Sequence, residues 1–254
     1  MKVVESVADL AAERQARGAG ETGFVPTMGA LHEAHVSLIR RSQAENARTW
    51  VSIFVNPAQF NDPGDLASYP RPLEEDLEIL RAAGCDLVFM PRAREIYPDG
   101  YRYRVIENNL SLQFCGAGRP GHFDGVLTVV LKLLLLVRPD RAYFGEKDYQ
   151  QLRLVEGLAE TFFLETKIVR SPLVREPDGL AMSSRNRLLS AAERKRAPGF
   201  HRLLERSVEK LQSTAEAADE LKREGFDVEY VADYEGRRLA AVRLGKVRLI
   251  DNVE

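Results

Sequence analysis

Cysteine is scarce in this sequence: Cys85 and Cys115 are the whole supply in 254 residues, too few for a disulfide framework or a cysteine-rich metal site. That scarcity fits a reducing cytoplasm, and both thiols are expected to be free. Long apolar runs are missing as well. The strongest, residues 126–137, is shorter than the ~20 residues a bilayer-spanning helix needs and carries Lys132, so it reads as a buried helix and no membrane association is expected. Behind Met1-Lys2-Val3 there is no apolar stretch of signal-peptide length, so secretion is not expected. Positive charge is not in excess, with a net charge of −2 and a pI near 6.2; that argues against a sequence-independent grip on nucleic acid. No segment repeats at a fixed period or has low complexity.

What is present is alternation. A helical pattern over 7–17 ends at Gly18-Ala19-Gly20, and 22–26 follows as a first core strand. A helix over 33–46 leads to the uncharged, β-rich run 49–55, which suggests a strand buried on both faces. A polar loop over 61–69, a helix over 73–83 and a strand over 86–90 come next. Residues 101–106 read as a short strand outside the main sheet, 141–144 and 164–169 as further core strands. The class is therefore α/β, a Rossmann-like doubly wound parallel sheet. Composition changes after Val174, where helices over 191–211 and 215–225 and strands over 228–232, 238–243 and 247–250 suggest a second, smaller α+β domain. The expected domains are 1–173 and 174–254.

The stretch Phe24-Val25-Pro26-Thr27-Met28-Gly29-Ala30-Leu31-His32-Glu33-Ala34-His35 joins the first core strand to a helix. Helix N-termini present unpaired N–H groups and a positive dipole end, which favour anions. Residues three apart share a helix face, so His32 and His35 can reach one ligand, a polyphosphate by this reading. Two capping or surface histidines are an equally good account of the pair alone. The start of an H-E-x-x-H zinc motif is not an option, because the second histidine comes one residue early. Ligands in open α/β sheets sit beyond the carboxyl ends of strands, where Asn56 and Gln59 follow the run 49–55, though an Asn-Pro turn explains them as well. A second strand-to-helix junction, Gly145-Glu146-Lys147-Asp148-Tyr149-Gln150-Gln151, carries a mobile cation and an amide pair. Read alone it is an exposed helix start; two such junctions in one sheet favour a site. Ala181-Met182-Ser183-Ser184-Arg185-Asn186 combines small donors with a guanidinium able to grip phosphate, or forms a loop before the helix that Ser190 caps.

Together these segments resemble the pantothenate synthetase, or pantoate–β-alanine ligase, family over essentially the whole chain. The resemblance rests on Pro-Thr-Met-Gly-Ala-Leu-His-x-x-His at 26–35, Ser-Ile-Phe-Val-Asn-Pro-x-Gln-Phe at 52–60, and Arg-Pro-Gly-His-Phe-x-Gly-Val at 119–126. It continues in Phe-Gly-Glu-Lys-Asp-Tyr-Gln-Gln-Leu at 144–152, Asp-Gly-Leu-Ala-Met-Ser-Ser-Arg-Asn at 178–186 and Arg-Leu-Ile-Asp-Asn at 248–252. It implies ATP-dependent condensation of (R)-pantoate with β-alanine to pantothenate, AMP and pyrophosphate through a pantoyl adenylate, in a cytoplasmic homodimer that uses Mg²⁺. By the same resemblance Met28, Gly29, Ala30, Leu31, His32, Glu33, Ala34 and His35 cradle the triphosphate, with His35 as proton donor. Gly145, Glu146, Lys147, Asp148, Val174, Met182, Ser183, Ser184 and Arg185 contact ATP, the last group from a small domain that closes over the nucleotide. Gln59 and Gln151 hold pantoate, Gln59 also lying near β-alanine. His32, Lys147 and Arg185 join His35 in neutralising phosphoryl charge. The Mg²⁺ ligands are open, with Asp76 and Glu75 as the carboxylates to consider.

The chain departs from the family's usual pattern at Ala34, where glycine is common, at Cys115, where glutamate commonly precedes the glycine, and between Leu211 and Val228, which looks short. A nucleotidyl transferase shares the His-x-x-His logic but has no reason to keep both Gln59 and Gln151. A class I aminoacyl-tRNA synthetase would need tRNA-binding domains and more positive charge. A nucleotide-binding paralogue without turnover is the reading from a different class.

Overall fold

The computed structural model describes residues 1–254, which divide into two compact units, Met1–Gly145 with Gln150–Ser171 and Glu146–Tyr149 with Pro172–Glu254. Along the chain come β1 (Lys2–Val4), α1 (Val7–Ala16), β2 (Thr22–Thr27), α2 (Glu33–Glu45), β3 (Arg48–Ile53), α3 (Pro63–Ser68), α4 (Leu73–Ala82), β4 (Leu87–Phe89), α5 (Ala93–Ile96), α6 (His122–Val137), β5 (Arg141–Gly145), α7 (Tyr149–Thr161) and β6 (Lys167–Ser171). The remaining elements are α8 (Ala191–Arg196), α9 (Pro198–Glu209), α10 (Thr214–Arg223), β7 (Asp227–Tyr234), β8 (Arg237–Leu244) and β9 (Val247–Val253).

In the first unit six strands form one parallel sheet in the order β1-β4-β3-β2-β5-β6. Register carries the core. Val88 pairs with Val51, Val51 with Val25, and Tyr143 with Val169, which sets these side chains on one face. Leu38 and Ile39 of α2 and Leu77 and Leu80 of α4 pack on them in a single cluster. The doubly wound parallel sheet expected from the alternating pattern is therefore present.

Several local expectations need correction. Residues 101–106 form no strand: Tyr101 takes a left-handed φ of 65°, and side chains occupy the backbone donors, Tyr103 N–H on Asp99 at 2.8 Å and Val105 N–H on Thr128 Oγ1 at 2.9 Å. The polar loop 61–69 contains α3, started by Asp62, whose carboxylate accepts the Gly64 N–H at 2.7 Å, and by Pro63 in the first turn. The strand placed at 164–169 lies at Lys167–Ser171, because the Leu164 N–H closes α7 on the Ala159 carbonyl at 2.9 Å. The helix over 191–211 is two, α8 and α9, parted at Pro198, which has no N–H to continue the ladder. Strand β1, hydrogen-bonded alongside β4, is an addition to the elements read from sequence.

The second unit holds a three-stranded antiparallel meander, β7-β8-β9. Phe200, Leu203 and Leu204 of α9, Leu221 of α10, and Val242 and Leu249 of the sheet share its core. A two-residue turn joins β7 to β8 through Glu235 and Gly236, both at positive φ. Ser190 caps α8 with Glu193 returning the bond, as the sequence led one to expect. Cys85 and Cys115 are both free and buried. Burial pushes the Cys85 thiol up to about 12, which leaves it un-ionised and unreactive at neutral pH. No helix is long and apolar enough to cross a membrane.

Candidate active site

β2 and β5 are neighbours, but β2 continues through α2 to β3 on one side and β5 through α7 to β6 on the other. Such a reversal opens a crevice at the carboxyl ends of the strands, where ligands bind in sheets of this kind. The loop from β2 to α2 rises there, and its shape is set by one carboxylate. Asp76, on α4 and 2% exposed, accepts the N–H groups of Ala30 at 2.8 Å and Leu31 at 2.7 Å. Gly29 and Ala30 reach it with positive φ of 78° and 51°. A Cβ on Gly29 would stand 2.8 Å from Asp76 Oδ2, so the turn needs glycine there. Those two N–H groups are engaged by Asp76, and Asp76 is accordingly a poor candidate for holding Mg²⁺, with both carboxylate oxygens turned to the loop. No group of three or more His, Cys, Asp or Glu side chains could cage a metal ion.

His32 stands at the N-cap of α2 and His35 in its first turn, with ring centroids 4.1 Å apart. His35 Nδ1 accepts the backbone N–H of His32 at 3.3 Å. An accepting Nδ1 assigns the proton of the neutral ring to Nε2, making that nitrogen a donor. Ala34 lies inside α2 with an ordinary right-handed backbone, so no positive φ demands glycine at that position. Glu33 turns away to pair with Arg40 in a surface ion pair.

Beyond β3, Asn56 is 1% exposed and uses its whole amide. Its Nδ2 donates to Gln59 Oε1 at 3.0 Å and to the Gly125 carbonyl at 3.1 Å, while its Oδ1 accepts Tyr97 OH at 2.7 Å and the Ala58 N–H at 3.3 Å. Burial, with Tyr101 adding, pushes the Tyr97 phenol above its ordinary range despite the Asn56 hydrogen bond, so it stays a neutral donor. Gln59 is thereby oriented: its Oε1 takes Asn56 and its Nε2 points at Met28 Sδ, 3.2 Å away. His122 donates from Nδ1 to the Gln59 carbonyl at 2.8 Å and accepts Arg119 on Nε2 at 3.0 Å. These contacts bring Met28, Asn56 and Gln59 together.

Gly125 lets α6 approach this turn: a Cβ there would lie 2.4 Å from the Ala58 carbonyl oxygen and 2.7 Å from Gln59 Cα. Overpacking of this kind costs about 1–3 kcal/mol. Gly125→Ala is expected to displace the turn and raise the KM for the substrate that Gln59 binds, with little change in that for the nucleotide; steady-state titration of each substrate checks it.

The amide pair at the start of α7 splits into two roles. Gln150 is 4% exposed and structural: its Oε1 accepts the Cys115 N–H at 3.0 Å and its Nε2 donates to the Leu110 and Gln113 carbonyls, both at 2.7 Å. Glu107 ties down the same segment. Burial works against its ionised form, but the backbone N–H groups of Ser111, Asn109 and Leu110 outweigh it and hold the carboxyl below its ordinary value. Gln151, half-buried in the first turn of α7, makes no such tie.

Within the second unit Lys147 Nζ lies 3.7 Å from Asp148 Oδ2. Val174 and Met182 face each other in a small hairpin, Met182 N–H on the Val174 carbonyl at 3.0 Å. Ser183 caps the turn Ser184–Leu188 by accepting the Arg185 N–H at 3.3 Å. Gly145 ends β5, and a Cβ there would meet no atom within 4 Å, so the chain's own packing leaves room above it.

A doubly wound parallel sheet with paired histidines at a helix start on its switch-point loop defines an α/β protein built to take a phosphate-bearing ligand beyond the carboxyl ends of its strands. The family described as Pantoate-beta-alanine ligase matches residues 2–254, and the chain belongs to that family. The pantothenate synthetase of Bdellovibrio bacteriovorus is 50% identical over 253 residues, 100% of this chain and 99% of that protein. That of Coxiella burnetii is 48% identical over 255 residues, 99% and 96% of the two chains. Among solved structures, the Francisella tularensis pantoate–β-alanine ligase complexed with beta-gamma ATP and beta-alanine superposes with a TM-score of 0.92 at 39% identity, covering 100% of this chain and 97% of that one. The Thermus thermophilus pantothenate synthetase gives 0.91 at 42%, covering 100% and 99%.

Proposed function

We propose that this chain condenses (R)-pantoate with β-alanine, using ATP and releasing AMP and pyrophosphate. The observation that carries the reading is the pair His32 and His35 at a helix start, with the oriented Gln59 amide held against Met28 of the same loop, in a chain of this family. A pantoate carboxylate oxygen attacks the α-phosphorus of ATP; the bond to the β,γ-pyrophosphate breaks and pantoyl adenylate forms. The neutral amine of β-alanine then attacks the acyl carbon, and AMP leaves with the bridging oxygen. No protein nucleophile is needed.

His32 and His35 donate to phosphoryl oxygens where charge develops, His35 through Nε2, and Lys147 and Arg185 contribute cationic charge to the same end. Gln59 and Gln151 hold the hydroxyl and carboxylate of pantoate, and holding nucleophile and phosphorus in line supplies about 7–11 kcal/mol of the barrier reduction. The segment Met28, Gly29, Ala30, Leu31, Glu33 and Ala34 shapes the phosphate side. Gly145, Glu146, Asp148, Val174, Met182, Ser183 and Ser184 complete the nucleotide contacts. Mg²⁺ is assigned to the phosphates of ATP as part of that substrate, since this cation favours few carboxylates plus phosphate oxygens. The cytoplasm is the proposed location, supported by two free thiols, and a homodimer the proposed assembly, supported by the resemblance to the family.

Steady AMP release with ATP, Mg²⁺ and pantoate is expected only when β-alanine is present. Release that ignores β-alanine, or silence in a folded sample that binds ATP, contradicts the reading. Gln59→Ala is expected to raise the pantoate KM about tenfold or more while moving the ATP KM little, because a polar group of pantoate left without its amide partner penalises that substrate and not the nucleotide. The reverse split removes Gln59 from the pantoate pocket.

A further inference from the structure

Asn252, in β9 and 3% exposed, uses all of its amide. Its Nδ2 donates to the Glu146 carbonyl at 2.9 Å and the Lys147 carbonyl at 3.1 Å, and its Oδ1 accepts Arg237 at 2.9 Å. The reverse orientation would set oxygen against two carbonyls and the NH₂ against a guanidinium, so the amide has one workable pose. Arg237 adds a second hold on the segment, reaching Glu146 Oε2 at 3.2 Å and lying over the Tyr149 ring at 4.7 Å. The preceding residue, Asp251, takes Arg175 in a two-pronged ion pair at 2.7 and 3.0 Å. Arg175 pairs with Ala181 inside the hairpin that carries Val174 and Met182. Adjacent residues of one strand thus anchor both stretches of this unit to which the proposed function assigns nucleotide contacts.

We propose that Asn252 is a positioning residue for Lys147, fixing the backbone from which that ammonium reaches the phosphates of ATP. The inference rests on the adenylating reading above. Lys147 sits in a short 3₁₀ turn, Glu146–Asp148, too brief to hold itself. Two carbonyls of that turn are satisfied by one side chain from a packed sheet. Without the amide the turn loses both, and the flexible stem of Lys147 starts from a backbone that is no longer fixed.

The test is pantoate-dependent ATP–pyrophosphate exchange in four enzymes: the parent, Lys147→Ala, Asn252→Ala and the double variant. Asn252→Ala is expected to slow exchange by about 10- to 100-fold, the effect of a misplaced group near the chemistry. On top of Lys147→Ala, the same change is expected to cost no more than about twofold, since residues acting as one unit are not additive. Asn252→Asp keeps the size and the acceptor for Arg237 but loses both donors. It is expected to match Asn252→Ala, and it carries the test should the alanine variant not fold. Near-parent exchange in Asn252→Asp overturns the inference, as do losses that multiply in the double variant or a Lys147→Ala enzyme with parent activity. A parent enzyme with no exchange fails the adenylating reading instead.

Discussion

His35→Ala lowers pantoate-dependent ATP–pyrophosphate exchange by about 10²- to 10³-fold, the effect of removing one donor aimed at developing oxyanion charge. The residue is placed for that task by its own helix. The His32 N–H occupies Nδ1, which orients the ring and leaves the proton of the neutral imidazole on Nε2. Losing this contact removes one hydrogen bond from the start of α2, a cost of about 0.5–2 kcal/mol, so the folded state survives. Exchange and thermal unfolding measured on the same sample separate the two effects. Activity within about threefold of the parent, well short of the tenfold that 1.4 kcal/mol of lost transition-state stabilisation produces, would remove His35 from the chemistry.

Asp76→Ala is the most damaging substitution expected for the fold around the site. It leaves the Ala30 and Leu31 N–H groups without their acceptor in a buried loop, and each buried donor without a partner costs about 1–3 kcal/mol. The sum, roughly 2–6 kcal/mol, is large beside the 5–15 kcal/mol by which domains are stable. Asp76→Asn should fall between, because an amide oxygen accepts but the NH₂ opposes the second N–H. Trp50, the single tryptophan, is buried in β3 of the same unit. Its fluorescence in a urea titration therefore reports the relevant transition. A midpoint equal to the parent's in Asp76→Ala would show that the loop holds its shape by other means. Activity should fall with stability, because His32 follows directly from the loop that Asp76 shapes.

Much of this was legible in the sequence, for physical reasons. An uncharged β-rich run such as 49–55 reads as a strand covered on both faces, and β3 takes up Arg48–Ile53, ending two residues before the run does; the short strand–helix spacing points to a parallel sheet. The two loops at the switch point announced themselves through residue types that ordinary turns do not need, two imidazoles three apart and a Gly-Glu-Lys start. What stayed hidden was the scaffolding behind them. Asp76 lies in the run Glu74-Glu75-Asp76, where three carboxylates look alike until packing buries one. Gln150 and Gln151 are adjacent and chemically identical, and only the tertiary position of Cys115 and Leu110 sets one apart. His122 and Tyr97 serve Gln59 and Asn56 across long sequence separations, which no local pattern encodes. Residues 101–106 have strand composition but spend their N–H groups on side chains, and composition does not reveal that competition.

Pantoate is activated as an acyl adenylate in this reaction. Pantoate labelled with ¹⁸O in both carboxylate oxygens tests it most directly, with ATP, Mg²⁺ and β-alanine, by mass analysis of the AMP and pantothenate formed. Attack of the carboxylate on the α-phosphorus, followed by departure of AMP with the bridging oxygen, places one ¹⁸O in AMP and leaves the other in the new amide. Label found in inorganic phosphate or pyrophosphate, with none in AMP, would mean that the carboxylate attacks a different phosphorus, and would contradict the account.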